Sequence, residues 1–168
     1  MAYVFATPNV GMPAIAATLA ADQAGRVPWK LGDIVRAVDP TYGAGEFIYL
    51  KGAANTAIGS WVTYNADDNS TTLLAANAIG PVAVAMSANV ANQYGWYQIG
   101  GKAIGLCMAG YVDDANVYAP PTAGSVDDAV VAGDRVKNAK GASAIGTPSG
   151  SFAEFEIARP FMDDALAA

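Results

Sequence analysis

The chain has 168 residues, enough for one domain of ordinary size, and 53% of them are hydrophobic whereas only 14% are charged. Soluble domains carry about 25% charged residues, so a surface this poor in charge favours a protein whose faces are covered in an assembly. The alternative is a compact monomer rich in Ala and Gly. A net charge of −6 without any cluster of Lys or Arg argues against nucleic acid and against an anionic membrane as partners.

Residues 1–30 are predicted to form an N-terminal arm that is rich in Ala and interrupted by Pro8, Pro13 and Pro28. Within the arm, Pro13–Ala24 could form a short helix, because Pro stands near its start and Gly follows its end. We expect the arm to extend onto a neighbouring subunit, so that its removal would leave the β fold intact. The first 25 residues contain no Lys or Arg, which argues against a signal peptide and predicts synthesis in a cytoplasm.

Residues 31–168 are predicted to form a β-rich domain. Short runs of β-branched and aromatic residues alternate with turns rich in Gly and Asp, and the chain contains 18 glycines. This pattern predicts an all-β fold, a β-barrel or β-sandwich of short antiparallel strands with an extended N-terminal arm. The segment Pro81–Met86 alternates large and small residues, which predicts a strand packed on one face. The segments with the strongest strand signal are Asp33–Asp39, Glu46–Leu50, Ser60–Tyr64, Pro81–Met86, Gly95–Ile99, Lys102–Met108 and Phe152–Ile157.

A weak internal similarity suggests that the β domain contains two related units. Residues 59–99 run as a strand, a polar turn, a Val-rich strand and an aromatic strand, and residues 113–158 follow a similar order. Two such units would form a pseudo-duplicated barrel.

The residue types present argue against an enzyme. The chain has no His, so neither a Ser-His-Asp triad nor a Cys-His pair can form, and no phosphate-binding or dinucleotide-binding loop is present. The single cysteine, Cys107, lies in an apolar stretch and is predicted to be a buried, unreactive thiol. We expect no cofactor and no metal. An enzyme that uses paired carboxylates is the alternative, but adjacent Asp residues are more typical of turns. The four Asp pairs are Asp67–Asp68, Asp113–Asp114, Asp127–Asp128 and Asp163–Asp164.

Four aromatic residues are the candidate interaction residues: Trp61, Tyr64, Trp96 and Tyr97. Three interpretations are open. They could pack in the core, they could anchor a subunit interface, where Trp and Tyr are enriched, or they could form an exposed surface on which sugar rings stack.

Five segments of the chain resemble small structural proteins of tailed bacteriophages, the capsid decoration or cement proteins. The resemblance covers roughly residues 31–164 and includes no catalytic signature. The segments that carry it are Gly80–Ala88, Tyr94–Lys102, Asp113–Tyr118, Thr122–Val136 and Ala153–Phe161.

The resemblance implies an all-β virion protein on the outer surface of a capsid, where it binds and stabilises the shell of the major capsid protein. It also implies a homotrimer at threefold positions of the shell. The alternative function is a carbohydrate-binding or fibre-associated β module on a phage or bacterial surface.

Overall fold

The structure is a computed structural model that describes residues 3–6, 13–20 and 29–163. These residues form eleven β-strands and contain no helix, which confirms the prediction of an all-β fold. The strands are β1 (Val4–Phe5), β2 (Thr18–Ala20), β3 (Ile34–Asp39), β4 (Gly43–Lys51), β5 (Trp61–Tyr64), β6 (Thr71–Leu73), β7 (Ile79–Ala85), β8 (Gln93–Leu106), β9 (Asn116–Tyr118), β10 (Arg135–Gly141) and β11 (Phe152–Asp163).

The strands form one antiparallel sheet that curls into a half-barrel. The main path through the sheet runs β1-β3-β4-β8-β11-β7-β5-β6. Strand β10 joins the sheet through β11 and carries β9, and β2 pairs with β8. Such curling brings distant strands together and leaves fewer unpaired strand edges than a flat sheet would.

Strand β8 is the longest strand, and it belongs to two parts of the sheet. Its first half pairs with β4, and its second half pairs with β11. The change of pairing partner from β4 to β11 occurs at Gly100, which lies opposite Glu46 of β4 and also opposite Ala158 of β11. The next residue, Gly101, has a φ of 92°, a conformation that glycine adopts far more readily than other residues. The backbone of β8 therefore bends at this pair of glycines.

The bend brings three strands into mutual contact. Beyond Arg159, whose φ is 52°, strand β11 leaves β8 and pairs with β7 at Phe161 and Pro81. The other end of β7 pairs with β8 at Gln98. Strands β7, β8 and β11 thus form a closed junction at the centre of the fold.

The buried side chain of Gln98 stabilises this bend through hydrogen bonds to the backbone of β8. Its amide nitrogen donates hydrogen bonds of 3.1 Å to the carbonyl oxygens of both Gly100 and Lys102. The hydroxyl of Tyr3, from the N-terminal arm, donates to the same Lys102 carbonyl over 3.1 Å. These bonds satisfy carbonyl groups that the bend removes from regular strand pairing.

Three hydrophobic cores lie on the faces of the curled sheet. The arm core lies between the arm and β3, β4 and β8; the middle core lies between β4, β8 and the strands β5 and β7; the far core lies between β5, β7 and the strands β8 to β11. Strand β7 lies between two of them, because Val82 and Val84 enter the far core while Ala83 and Ala85 enter the middle core. The prediction that Pro81–Met86 packs on one face was therefore wrong.

The described part of the N-terminal arm packs against the sheet of its own chain. Strand β1 pairs with β3, strand β2 pairs with β8, and Ile15 is 2% exposed in the arm core. These residues therefore supply apolar cover for β3, β4 and β8, and the expectation that the arm extends onto a neighbouring subunit stays a prediction.

The predicted helix at Pro13–Ala24 is also wrong over its described residues. Residues 13–20 contain a turn and then β2, and residues 21–24 lie outside the described part of the chain. The hydroxyl of Thr18 bonds to the buried Asn89 side chain over 2.9 Å, and β2 gains backbone bonds from β8. These long-range bonds outweigh the high helix propensity of the Ala residues, because propensity is a weak preference that tertiary contacts override.

The two related units stay a prediction. The first would comprise β5, β6, β7 and the first half of β8, and the second would comprise β9, β10 and most of β11. The final strands of the two units, β8 and β11, are hydrogen-bonded to each other.

Replacement of Ile15 by Ala should lower the free energy of unfolding by about 2–5 kcal/mol, because it leaves a cavity beneath the arm. Urea unfolding followed by tryptophan fluorescence measures this loss. The matched control is Ile58→Ala, at a side chain that is 51% exposed. Equal stability of the two variants would show that the arm does not contribute to the core.

Replacement of Gly101 by Ala should destabilise the fold by about 1–3 kcal/mol more than Gly146→Ala. Both glycines have similar positive φ angles, 92° and 99°. A Cβ at position 101 would lie 2.3 Å from the carbonyl oxygen of Ala44, whereas a Cβ at position 146 meets nothing within 4 Å. Thermal unfolding measures the stability of both variants. Because both share the strain of a positive φ, the difference between them reports the clash at position 101.

Candidate interaction surfaces

Three of the four candidate aromatic residues are core residues. Trp61, Trp96 and Tyr97 are fully buried. Trp61 packs edge-on against Phe155 with ring centroids 5.0 Å apart, and Trp96 lies 5.0 Å from the ring of Tyr49. Because these rings are inaccessible, they cannot anchor a subunit interface or stack on a sugar, and the prediction of an interface role is corrected for them.

Tyr64 is the one member of that set on the surface, and it belongs to an apolar patch that sequence reasoning missed. We call this surface the Ile79 patch; it consists of Tyr64, Ile79, Pro81 and Phe161. Ile79 is 68% exposed and Phe161 is 40% exposed, and Phe161 lies directly opposite Pro81 on the paired strands β11 and β7. The signal available in the sequence was the pair of adjacent large apolar residues Phe161 and Met162. A strand directs adjacent side chains to opposite faces, so one of the two had to lie away from the far core.

A polar cleft of about 450 Å³ adjoins the Ile79 patch. Tyr64 lies on its wall, and burial raises the pKa of the Tyr64 phenol although the nearby Arg159 guanidinium acts in the opposite direction. None of the described side chains that line this cleft is charged, which suits a neutral ligand. Its lining residues are Thr63, Tyr64, Asn65, Ala66, Ser70, Thr72, Ile79, Gly80 and Pro81.

A second cleft, of about 440 Å³, lies at the bend of β8, and we call it the arginine cleft. Glu46 accepts a hydrogen bond of 2.8 Å from Arg36 and one of 3.4 Å from Arg159. The hydrogen bond from Arg36 is the main cause that lowers the pKa of Glu46. Gly100 and Gly101 also line the cleft. Two guanidinium groups share one carboxylate, so the cleft has a net positive charge.

The opposite end of β8 leads to an acidic surface, which we call the acidic tip: Val112, Asp113, Asp114, Asp127, Asp128 and Val130. The carboxylate of Asp128 accepts a hydrogen bond of 3.0 Å from the backbone of Val112 and so joins two loops. Asp113 and Asp127 each accept a bond from the backbone of the following residue.

The predicted turn is confirmed for Asp113–Asp114, whereas Asp127 of the other tip pair forms a β-bridge with Tyr118. Asp68 also lies in a turn, where it accepts bonds from Ser70. The side chains of the fourth pair, Asp163–Asp164, lie outside the described part of the structure. No group of three or more potential metal ligands occurs among the described residues.

Cys107 is buried beneath the acidic tip, as predicted from the sequence. Burial is the main cause that raises the pKa of its thiol to about 11, and the negative charges of Asp127 and Asp128 contribute to this rise. Its sulfur atom lies 3.6 Å from the carbonyl oxygen of Ser151. A thiol in such surroundings is a poor nucleophile, because the thiolate is the reactive form.

Within the described residues, no helix has the length and apolar character needed to cross a membrane. Comparisons of the chain with protein-family models, with curated proteins and with solved structures found no match. The surfaces described above are therefore the basis for any functional assignment.

Alkylation of Cys107 at pH 8 should be at least about a hundredfold slower in the folded protein than in urea, since both burial and the raised pKa suppress the thiolate. The raised pKa also makes a contribution to the stability of the fold. This contribution is complete below pH 9 and is lost as the pH rises towards 11. Mass spectrometry of iodoacetamide-treated samples measures the alkylation rate of Cys107. Rapid labelling of the folded protein would contradict the burial of this thiol.

Proposed function

We propose that the protein is a non-enzymatic structural component of a tailed-phage virion, a decoration or cement protein on the outer capsid surface. In this role it binds the shell of the major capsid protein and stabilises it, as a homotrimer and without a cofactor. The observation that carries the proposal is the Ile79 patch, an exposed apolar surface formed by the paired strands β5, β7 and β11.

The Ile79 patch has the composition of the central part of a protein interface. Aromatic and aliphatic side chains at such a centre account for most of the binding energy once water is removed. In the patch, Tyr64 and Phe161 are the aromatic residues and Ile79 is the most exposed aliphatic residue. Each of them is carried by a strand, so little conformational entropy is lost on binding.

The chemistry of the chain agrees with a structural role. With no His among its 168 residues, the chain lacks the commonest general base. Its Asp pairs at residues 67–68, 113–114 and 127–128 contain carboxylates that bind backbone N–H groups. The resemblance of five segments to phage decoration proteins supports the same function and adds the homotrimer and the major capsid protein as expected partners.

The polar cleft beside Tyr64 supports a second candidate function, the binding of a neutral carbohydrate. Hydroxyl groups of Thr63, Ser70 and Thr72 and the amide of Asn65 line this cleft beside the Tyr64 ring. This combination of an aromatic ring with polar groups suits a sugar. A carbohydrate-binding or fibre-associated module would use it.

The double variant Ile79→Asp and Phe161→Asp should weaken binding to capsids that lack the protein at least tenfold, because it places two charges in a desolvated contact. Co-sedimentation with such capsids measures the affinity. The control is Ile58→Asp, which adds one charge at an exposed aliphatic residue next to the other end of β5.

Unchanged capsid binding by the double variant would contradict the Ile79 patch as the docking surface. A wild-type protein that does not bind capsids at all would contradict the decoration function. Binding to a glycan array that is lost in Tyr64→Ala would instead favour the carbohydrate function.

A further inference from the structure

We propose that the arginine cleft of one copy binds the acidic tip of the next copy, so that copies associate head to tail in a closed ring. This inference rests on the homotrimer of the proposed function and names the two surfaces that form its contact. It uses neither the Ile79 patch nor the polar cleft.

The arginine cleft can bind a further carboxylate. The side chains of Arg36 and Arg159 are 75% and 66% exposed, whereas that of Glu46 is 25% exposed. Arg36 directs two of its nitrogens to a single oxygen of Glu46, which leaves other guanidinium donors of both arginines facing solvent. An incoming carboxylate would meet two cations and only one, already paired, anion.

The cleft is bordered by apolar side chains that an interface would cover. On strand β3, Ile34 and Val38 flank Arg36 on the same exposed face, and each is 46% exposed. Val4 of β1 lies opposite Val38 and is 68% exposed. An ion pair surrounded by apolar contacts is better protected from water and salt than an isolated surface pair.

The acidic tip has the complementary chemistry. It has four carboxylates, and no Lys or Arg of the described residues forms an ion pair with them. Their negative charges also act on the buried Tyr111, because burial raises the pKa of its phenol and Asp128, Asp127 and Asp113 contribute in the same direction. Val112 and Val130, which are 54% and 77% exposed, provide the apolar part of this surface.

The two surfaces lie too far apart to meet within one copy. The arginine cleft includes the pair of Gly100 and Ala158, whereas the tip follows the pair of Leu106 and Phe152 on the same two strands. Six residues of extended strand separate these pairs by about 20 Å. Each copy can therefore use both surfaces at once, and a head-to-tail contact of this kind closes into a ring when its rotation is suitable.

A charge-reversal experiment on the full chain tests the contact. The single variants Arg36→Glu and Asp113→Lys should each raise the dissociation constant of the assembly at least tenfold, because each places like charges in contact. The double variant restores opposite charges across the contact, so its constant should return to within about threefold of the wild type. Sedimentation velocity over a range of micromolar concentrations measures the assembly.

The matched control is Lys51→Glu, which makes the same change of charge as Arg36→Glu but lies at the far end of β4, opposite Tyr94 of β8. It should assemble as the wild type does. Thermal unfolding of every variant verifies that the fold is retained.

Two outcomes overturn the inference in distinguishable ways. If both single variants assemble as the wild type does, the head-to-tail contact is wrong while the homotrimer stands. If the wild type is a monomer at all concentrations, both the ring and the homotrimer are wrong. Binding to the shell is then decided separately by the variants of the Ile79 patch.

Discussion

Strand β8 pairs with two different parts of the sheet, and it can do so because its backbone bends at Gly100 and Gly101. The close approach of Gly101 to the carbonyl oxygen of Ala44 leaves no space for a Cβ. The buried amide of Gln98 donates hydrogen bonds to the carbonyl group of Gly100, within the bend, and to that of Lys102, just after it. Without the bend, β7 and β11 could not both pair with β8, and the sheet would not curl around its middle core.

The same bend creates the surfaces to which we assign a function. The arginine cleft lies where β4, β8 and β11 separate, and Arg159 adopts a positive φ at the point where β11 leaves β8. A few residues later, β11 brings Phe161 next to Pro81 of β7 and so completes the Ile79 patch. Each of these positions lies on a strand that pairs with its neighbours, and a preorganised surface suits a protein that holds other proteins in place.

Scarcity of charge makes the position of each charge important. On the paired strands β8 and β11, Lys102 forms an ion pair with Glu154. By contrast, the two arginines of the cleft exceed their single carboxylate, and the tip has carboxylates without a described cation partner. An uneven distribution of this kind contributes to recognition more than to stability, since exposed ion pairs stabilise a fold by less than about 1 kcal/mol.

The sequence by itself determined the all-β fold, the turns at Asp67–Asp68 and Asp113–Asp114, and the burial of Cys107, because each follows from local spacing and residue type. Only the tertiary structure decided that Trp61, Trp96 and Tyr97 lie in the core and that the Ile79 patch is exposed. It also decided that Pro13–Ala20 includes a strand and that β7 is buried on both faces. The physical reason is that burial depends on which strands pair at long range, and a bend such as that at Gly101 changes those pairings without changing the local pattern of hydrophobic residues.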